Sequence, residues 1–249
     1  MINDPWFWAL AVPAVALTGI SKGGMGGGAA VATPLMALAI PPAQAAAIML
    51  PVLCVMDLAG VRAYLWRWDR RLVRILVPAG IAGTVVGGLT VSFMNDDWIR
   101  IMLGAVALGF LAWTFFPRTT RPRQPRRAAG WFWGALSGFT SFITHAGSPP
   151  VMVYLVPQKL EKEAFVATLL IFFLALNYAK IPSYLWLGLV DARVLVTAGL
   201  LIPLGIAAIH AGQWLQRRID VRWFYRLIYT LLFFTGVKIL YDGITGLRA

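Results

Sequence analysis

Residues 164–187 have the sequence AFVATLLIFFLALNYAKIPSYLWL, an apolar stretch in which Lys180 is the single charged residue. A helix needs about 17–25 predominantly apolar residues to cross the hydrocarbon core of a bilayer. The stretch is therefore predicted to be a transmembrane helix. The same criterion predicts five further spans elsewhere in the chain, at 43–61, 75–92, 98–116, 194–211 and 223–241.

The composition of the whole chain agrees with these spans. Of the 249 residues, 59% are hydrophobic and 13% are charged, and the mean hydropathy is +0.74. Soluble domains carry about 25% charged residues, so an ordinary soluble enzyme and a disordered chain are both excluded. One cysteine can form neither an internal disulfide nor a cysteine-based metal site. The fold class that follows is an all-α polytopic integral membrane protein.

The formal net charge of +12 comes mainly from three short connections, which hold 13 of the 22 lysine and arginine residues. These connections are 62–74, 117–127 and 212–222. Short cytoplasmic loops are enriched in Lys and Arg, so we expect all three inside and the loop with Asp96 and Asp97 outside. The positive charge is then explained by loops beside the lipid bilayer, and we expect no nucleic acid as a partner.

Two further apolar regions, 6–40 and 128–156, are interrupted. The first is broken by SKGGMGGG at 21–28 and the second by THAGSPP at 144–150. The helical pieces beside the first break are too short for a full span. We therefore expect each region to form a broken hairpin of two half-height helices, with a single kinked spanning helix as the alternative. The first four residues lack the basic region of a cleaved signal peptide, so the first segment is expected to stay in the mature protein.

The chain also repeats itself at an almost constant offset of 119–125 positions. The matches are Leu17-Thr18-Gly19 with Leu136-Ser137-Gly138, Tyr64-Leu65-Trp66 with Tyr184-Leu185-Trp186, and Val77-Pro78-Ala79-Gly80 with Ile202-Pro203-Leu204-Gly205. Span 43–61 must run inward to meet its basic loop, whereas its counterpart 164–187 must run outward. We therefore predict two inverted-topology repeats, 1–120 and 121–249, each with a broken hairpin and three transmembrane helices, a signature of secondary transporters. Both chain termini are then expected outside.

The first break combines backbone freedom with a positive charge. Six glycines between positions 19 and 28 allow the chain to approach a ligand closely, and Lys22 lies among them. Free N–H groups at the start of a half-helix, together with a lysine, are typical of an anion site. The alternative is close helix packing by small residues, with Lys22 reaching to an interface. The candidate binding residues here are Ser21, Lys22, Gly23, Gly24, Gly26, Gly27 and Gly28.

The second break has a different chemistry. Thr144 and Ser148 supply hydroxyl groups, Gly147 allows a turn, and His145 can change its charge near neutral pH. A lone histidine is usually a hydrogen-bonded structural residue, but ionisable groups within membranes are costly and typical of functional sites. These four residues are therefore candidates for binding, and His145 is also the candidate for proton coupling.

Asn177 and Lys180 are the remaining candidate binding residues. They lie one turn apart on one face of the span 164–187, and a cavity-facing pair is the interpretation we favour. Asn177 falls at the repeat position of Asp57. Asp57 itself is only five residues before Arg62, so a simple ion pair near the cytoplasmic surface is the alternative to a role in the site.

Catalytic and metal-binding patterns are missing from the sequence. It contains no HExxH, no phosphate-binding GxxxxGK(S/T) and too few acids for a di-metal site. We therefore expect a protein that is not an enzyme and needs no cofactor or metal. The alternatives are an intramembrane enzyme that uses His145 and Lys22, and an anion channel.

Three stretches resemble the TauE/SafE family of sulfite-exporter-like membrane permeases. They are Gly19–Gly28 followed by Thr33-Pro34-Leu35, His145–Pro150 followed by Tyr154–Gln158, and Asn177–Pro182. Ser148 departs from the family pattern where a glycine is expected, and so does Ser183 where many members have a second proline. The resemblance implies export of sulfite or small organosulfonates such as sulfoacetate. The residues themselves indicate only that the ligand is a small anion.

The combined expectation is a multi-pass transporter of the bacterial inner membrane that exports a small sulfur-containing anion by alternating access. Lys22 and the N–H groups of Gly23–Gly28 would hold the anion from one half, and the second break would face it from the other. Asn177 and Lys180 would line the cavity, and protonation of His145 would couple export to the proton gradient. The sequence leaves self-association into a homo-oligomer open.

The inverted topology can be tested by labelling. Cysteines introduced in place of Asp96 and Arg123 should react with a membrane-impermeant maleimide from opposite faces, because one position lies in an acidic loop and the other in a basic loop. Labelling of both positions from the same face would contradict the arrangement.

Overall fold

The computed structural model describes residues 4–25, 28–63, 67–115, 126–215, 218 and 221–248. These residues are almost entirely helical, and no strand occurs among them. The helices follow the chain as α1 Pro5–Ile20, α2 Ala32–Met36, α3 Pro42–Ala63, α4 Arg70–Val91, α5 Asp96–Phe115, α6 Arg127–Thr144, α7 Ser148–Leu155, α8 Lys162–Trp186, α9 Ala192–Leu215 and α10 Val221–Gly246. A π turn at Ser21–Met25 and a 3-10 turn at Gly28–Val31 connect α1 to α2, and a 3-10 turn at Val156–Gln158 follows α7.

The six predicted spans are confirmed as helices long and apolar enough to cross a membrane, namely α3, α4, α5, α8, α9 and α10. Three of them, α4, α5 and α9, begin before the apolar stretch because a polar residue caps the helix start. The Asp69 carboxylate accepts hydrogen bonds from the N–H groups of Arg71 at 2.8 Å and Leu72 at 3.0 Å, so α4 begins at Arg70. Asp191 caps α9 in the same way through the N–H of Val194. The apolar stretches end at the first charged residues, but the helices continue past those residues.

The second interrupted region folds back on itself. Helix α6 ends at Thr144, and α7 begins at Ser148 after a left-handed residue, His145, with φ of 54°. A Cβ atom added to Gly130, near the start of α6, would lie 2.9 Å from the phenol oxygen of Tyr154, near the end of α7. Helix α7 therefore runs back along α6, which a single kinked helix would not do.

The first interrupted region also brings its helices together. Helix α2 packs against α1, and Phe7, Val15 and Met36 belong to one buried apolar cluster. The second helical piece is short, since α2 ends at Met36. Gly26 and Gly27 lie outside the described residues.

The same helix contact occurs twice in the fold. Helix α6 packs on α4, and α1 packs on α9. A Cβ atom at Gly138 would lie 1.9 Å from the Gly80 carbonyl oxygen, and one at Gly19 would lie 2.8 Å from the Gly205 carbonyl oxygen. These four glycines are equivalent positions of the sequence repeats. The repeated segments thus make matching backbone contacts, each between a helix of one half and a helix of the other.

Helix ends gather at two faces of the bundle. Arg67 forms an ion pair with Glu163, so the connection before α4 lies beside the start of α8. At the other end of α4, the start of α5 lies beside the end of α10, where a Cβ atom at Gly243 would be 2.8 Å from the Asp97 carbonyl oxygen. The start of α8 thus lies at the same end of the bundle as the start of α4, and the end of α10 lies at the same end as the start of α5.

Replacing Gly138 by Ala should lower the free energy of unfolding by about 1–3 kcal/mol, because the methyl group would overlap the backbone of α4. Chemical denaturation in detergent micelles measures this loss. Gly109→Ala is the matched control, since nothing lies within 4 Å of a Cβ atom there, and it should stay within about 0.5 kcal/mol of the parent. Equal stability of the two variants would show that the α4–α6 contact is not close.

Candidate functional site

Buried polar side chains from three helices and both breaks meet in one hydrogen-bonded group, which we call the polar cluster. Its members are Lys22, Asp57, Ser141, His145, Asn177 and Lys180. Asp57 and Lys180 have no exposed surface, and the Lys22 side chain is 13% exposed. Burying charged groups costs several kcal/mol per ion unless partners satisfy them. The partners of each member therefore decide what the cluster can do.

Asp57, on α3, connects the first break to α8. Its Oδ1 atom forms an ion pair with the Lys22 ammonium group, and its Oδ2 atom accepts a hydrogen bond of 2.6 Å from Asn177 Nδ2. A surface pair with Arg62 was the sequence-based alternative, and the complete burial of Asp57 excludes it. The sequence did contain a signal, because Asn177 occupies the repeat position of Asp57 and the two now prove to be in contact.

Lys180 is the most enclosed cation of the described residues. Its Nζ atom lies 2.9 Å from each of Ser141 Oγ, His145 Nδ1 and Asn177 Oδ1. All three partners can accept a hydrogen bond, and no described carboxylate lies within ion-pair distance of the Lys180 side chain. Lys180 is therefore fully satisfied in hydrogen bonds but has no contacting counterion.

His145 joins the second break to α3 and α8. Its left-handed conformation ends α6, and its Nε2 atom lies 2.9 Å from the Ala46 carbonyl oxygen. Because a carbonyl only accepts, Nε2 must carry the hydrogen, and Nδ1 is left facing Lys180. Non-glycine residues adopt this conformation rarely, although histidine does so more often than most. The break thus fixes the direction in which the imidazole points.

The other residues of the second break mainly shape the turn. The Thr144 hydroxyl donates to the Thr140 carbonyl at 2.8 Å and accepts from the Ala146 N–H at 3.1 Å. The Gly147 carbonyl accepts from Ser137 Oγ at 2.5 Å. Ser148 is half-buried at the first position of α7. The two prolines that follow have no N–H group, so this helix start offers few donors to an anion.

The first break separates into a packing side and a polar side. Gly23 packs against α9, where an added Cβ atom would lie 2.3 Å from the Ile209 carbonyl oxygen. Lys22 turns the other way and meets Asp57 instead of reaching an interface. Ser21 is buried at the start of the π turn, and Gly24 and Gly28 lie in the π and 3-10 turns. Close packing and a polar role thus coexist in this segment.

Ser141 is a member of the cluster that the sequence interpretation missed. It lies one helical turn before His145, and its carbonyl accepts the backbone N–H of His145 at 3.0 Å. The available signal was a polar side chain on an apolar helix, four positions before an ionisable residue. Many serines at such positions simply bond to their own helix, which is why the signal is weak.

The arrangement of the polar cluster could bind an ion and move a proton. A continuous path of contacts runs from Lys22 through Asp57, Asn177 and Lys180 to His145. No group of three metal-ligating side chains occurs among the residues that the structure describes. Two ammonium groups against one carboxylate suit an anion, and the Nζ–Nδ1 contact of 2.9 Å suits proton transfer.

Replacing Asp57 by Ala should lower the free energy of unfolding by about 3–5 kcal/mol, because Lys22 and Asn177 both lose a buried partner. The double variant Lys22→Met/Asp57→Leu should recover most of this loss, since it leaves no unpaired charge. Chemical denaturation in micelles measures both.

Arg67→Ala provides the control for this test. It breaks an ion pair whose side chains are 59% and 60% exposed, so its cost should stay below about 1 kcal/mol. An Asp57→Ala variant as stable as Arg67→Ala would contradict the buried pairing.

Comparison with known proteins places this chain in a family. The family model described as Sulfite exporter TauE/SafE matches residues 11–239, which include both breaks and every member of the polar cluster. No curated protein and no solved structure matches the chain. Because the family match covers nearly the whole sequence, the chain belongs to the TauE/SafE sulfite exporter family of membrane transporters.

Proposed function

We propose that this protein is a secondary transporter that exports a small sulfur-containing anion, sulfite or an organosulfonate such as sulfoacetate, by alternating access. Membership of the sulfite exporter family supplies the class of substrate. The observation that carries the proposal is Lys180, a fully buried lysine whose three contacts include no carboxylate.

An incoming anion would supply the negative charge that Lys180 lacks. The nearest carboxylate in the hydrogen-bonded path, Asp57, is already engaged by Lys22 and Asn177. Attraction between opposite charges is much stronger in a buried site than in water. A small anion beside Lys180 would therefore gain a strong interaction, and it would do so only when the site opens far enough to admit it.

The position of the cluster suits alternating access. Lys22, Asp57 and the Ala46 carbonyl come from the first half of the chain, whereas Ser141, His145, Asn177 and Lys180 come from the second. Transporters built from inverted repeats bind their substrates at the repeat interface, close to broken helices. The matching glycine contacts support a repeated architecture, and the distribution of basic loops supports its inversion. Movement of the helices relative to one another would expose the polar cluster to one side of the membrane and then to the other.

The orientation and the coupling complete the proposal. The three basic connections would face the cytoplasm of a bacterial cell, and both termini would lie outside the inner membrane. His145 would pass a proton to Lys180 through Nδ1 as the anion binds, so that the pair gains a single positive charge, and this uptake would couple export to the proton gradient. The bound anion would be held by Lys22, Lys180, Asn177 and the hydroxyl and backbone groups of the two breaks.

Proteoliposomes loaded with radiolabelled sulfite, and in parallel with sulfoacetate, test this function. The parent protein should release label when a proton gradient is imposed. Lys180→Gln should reduce the rate at least tenfold, because it removes the uncompensated charge, and Lys22→Ala and His145→Ala should also slow release. Lys238→Gln is the control, since Lys238 pairs with Asp242 on α10, away from the cluster.

Three results would argue against the proposal. Release by Lys180→Gln at the parent rate would show that the buried lysine does not serve transport. Release that is indifferent to the gradient would indicate an anion channel. Conversion of sulfite to a product by the protein in detergent would indicate an enzyme.

A further inference from the structure

We propose that the polar cluster selects anions that carry one negative charge, and that Asp57 determines this selectivity. The inference rests on the proposed transport function and narrows its substrate class. Hydrogensulfite and singly charged sulfonates would then be favoured over sulfite dianion, sulfate and doubly charged sulfonates such as sulfoacetate.

The charged groups of the polar cluster partly cancel one another. The opposite charges of Lys22 and Asp57 cancel in their ion pair, which leaves the positive charge of a protonated Lys180. The neighbouring titratable groups are Cys54, buried on α3, and Tyr184, whose hydroxyl donates to the Phe142 carbonyl at 2.9 Å and is therefore protonated. A buried thiol away from any metal is likewise a neutral group. The cluster without His145 thus carries at most one net positive charge.

His145 does not add a second positive charge. Its Nε2–H group donates to the Ala46 carbonyl, so the charge of the ring depends on Nδ1. Nδ1 lies 2.9 Å from Lys180 Nζ, a distance that requires one hydrogen between the two nitrogen atoms. When the pair is charged, either the lysine is an ammonium group and the histidine is neutral, or the imidazole is charged and the lysine is a neutral amine. A neutral amine that donates to a neutral imidazole fits the same contacts without any charge, and two facing N–H groups would repel, so the pair holds at most one positive charge.

A bound anion adds its own negative charge to the charge of the polar cluster. An anion with one negative charge brings the cluster to neutrality at its highest charge, whereas a dianion leaves at least one negative charge buried. An uncompensated buried charge is strongly unfavourable, because nothing replaces the water that it has lost. Neutrality of the occupied site therefore favours the monoanion.

Asp57 is the residue that sets this balance. It is the one described carboxylate in contact with the cluster, and it offsets one of the two lysines. Asp57→Asn keeps the size of the side chain but raises the highest net charge from one to two. The additional variant Lys22→Gln/Asp57→Asn returns the highest net charge to one without restoring the carboxylate.

The experiment measures competition in proteoliposomes. Radiolabelled sulfite is loaded together with methanesulfonate or sulfate, two sulfur oxyanions of similar size with one and two negative charges near neutral pH. For the parent, half-inhibition of sulfite release should need at least a tenfold higher concentration of sulfate than of methanesulfonate. Asp57→Asn should lower this ratio at least tenfold, and Lys22→Gln/Asp57→Asn should return it to the parent value.

Asp97→Asn is the matched control. Asp97 pairs with Arg100 at the start of α5, outside the cluster, so the same chemical change there should leave the ratio unaltered.

The competition experiment tests both the charge selectivity and the transport function. Equal competition by the two anions in the parent, an unchanged ratio in Asp57→Asn, or a double variant that keeps the altered ratio would overturn the charge selectivity while sulfite release remains. If Asp57→Asn does not assemble, or if the double variant releases no sulfite because it lacks Lys22, the parent still decides, because equal competition by sulfate and methanesulfonate would overturn the selectivity. If the parent releases no more sulfite than empty liposomes, the transport function itself is wrong, and the selectivity fails with it.

Discussion

The burial of one ammonium group, that of Lys180, is the constraint on which the rest of the structure depends. A charge inside an apolar bundle must be satisfied by dipoles or by an opposite charge. Here the amide of Asn177, the hydroxyl of Ser141 and the imidazole of His145 all converge on it at 2.9 Å. These three groups come from two helices and a break, so the position of each element is fixed by the need to reach one nitrogen atom.

That constraint explains why the helices are interrupted where they are. A continuous α6 would carry His145 onward with its helix, whereas a left-handed residue at the break turns the imidazole toward both Ala46 and Lys180. The first break positions Lys22 in a similar way. Lys22 points away from the side of the turn that packs on α9, and it forms an ion pair with Asp57. Broken helices are tolerated in membranes only where protein or water satisfies the freed backbone. At the second break, the Thr144 hydroxyl accepts from the Ala146 N–H group and the Ser137 hydroxyl donates to the Gly147 carbonyl.

The sequence predicted the spans well and the site only in part. Hydropathy finds α8 because the free energy of transfer into lipid is a local sum along the chain. The start of α4 was missed because a cap at Asp69 extends the helix past its apolar residues. Lys22, His145, Asn177 and Lys180 could be named because an ionisable or polar group in an apolar segment is unusual. Asp57 could not be assigned, because its partner Lys22 lies 35 positions away and only the folded chain brings them together.

The glycine contacts have a consequence for how the protein can move. Helices that meet backbone to backbone have no long side chains between them to repack, and they behave as one stiff body. Gly138 joins α6 to α4, and Gly19 joins α1 to α9. Each of these bodies therefore takes one helix from either half of the sequence. A rearrangement that preserves both contacts must move α6 together with α4, and α1 together with α9.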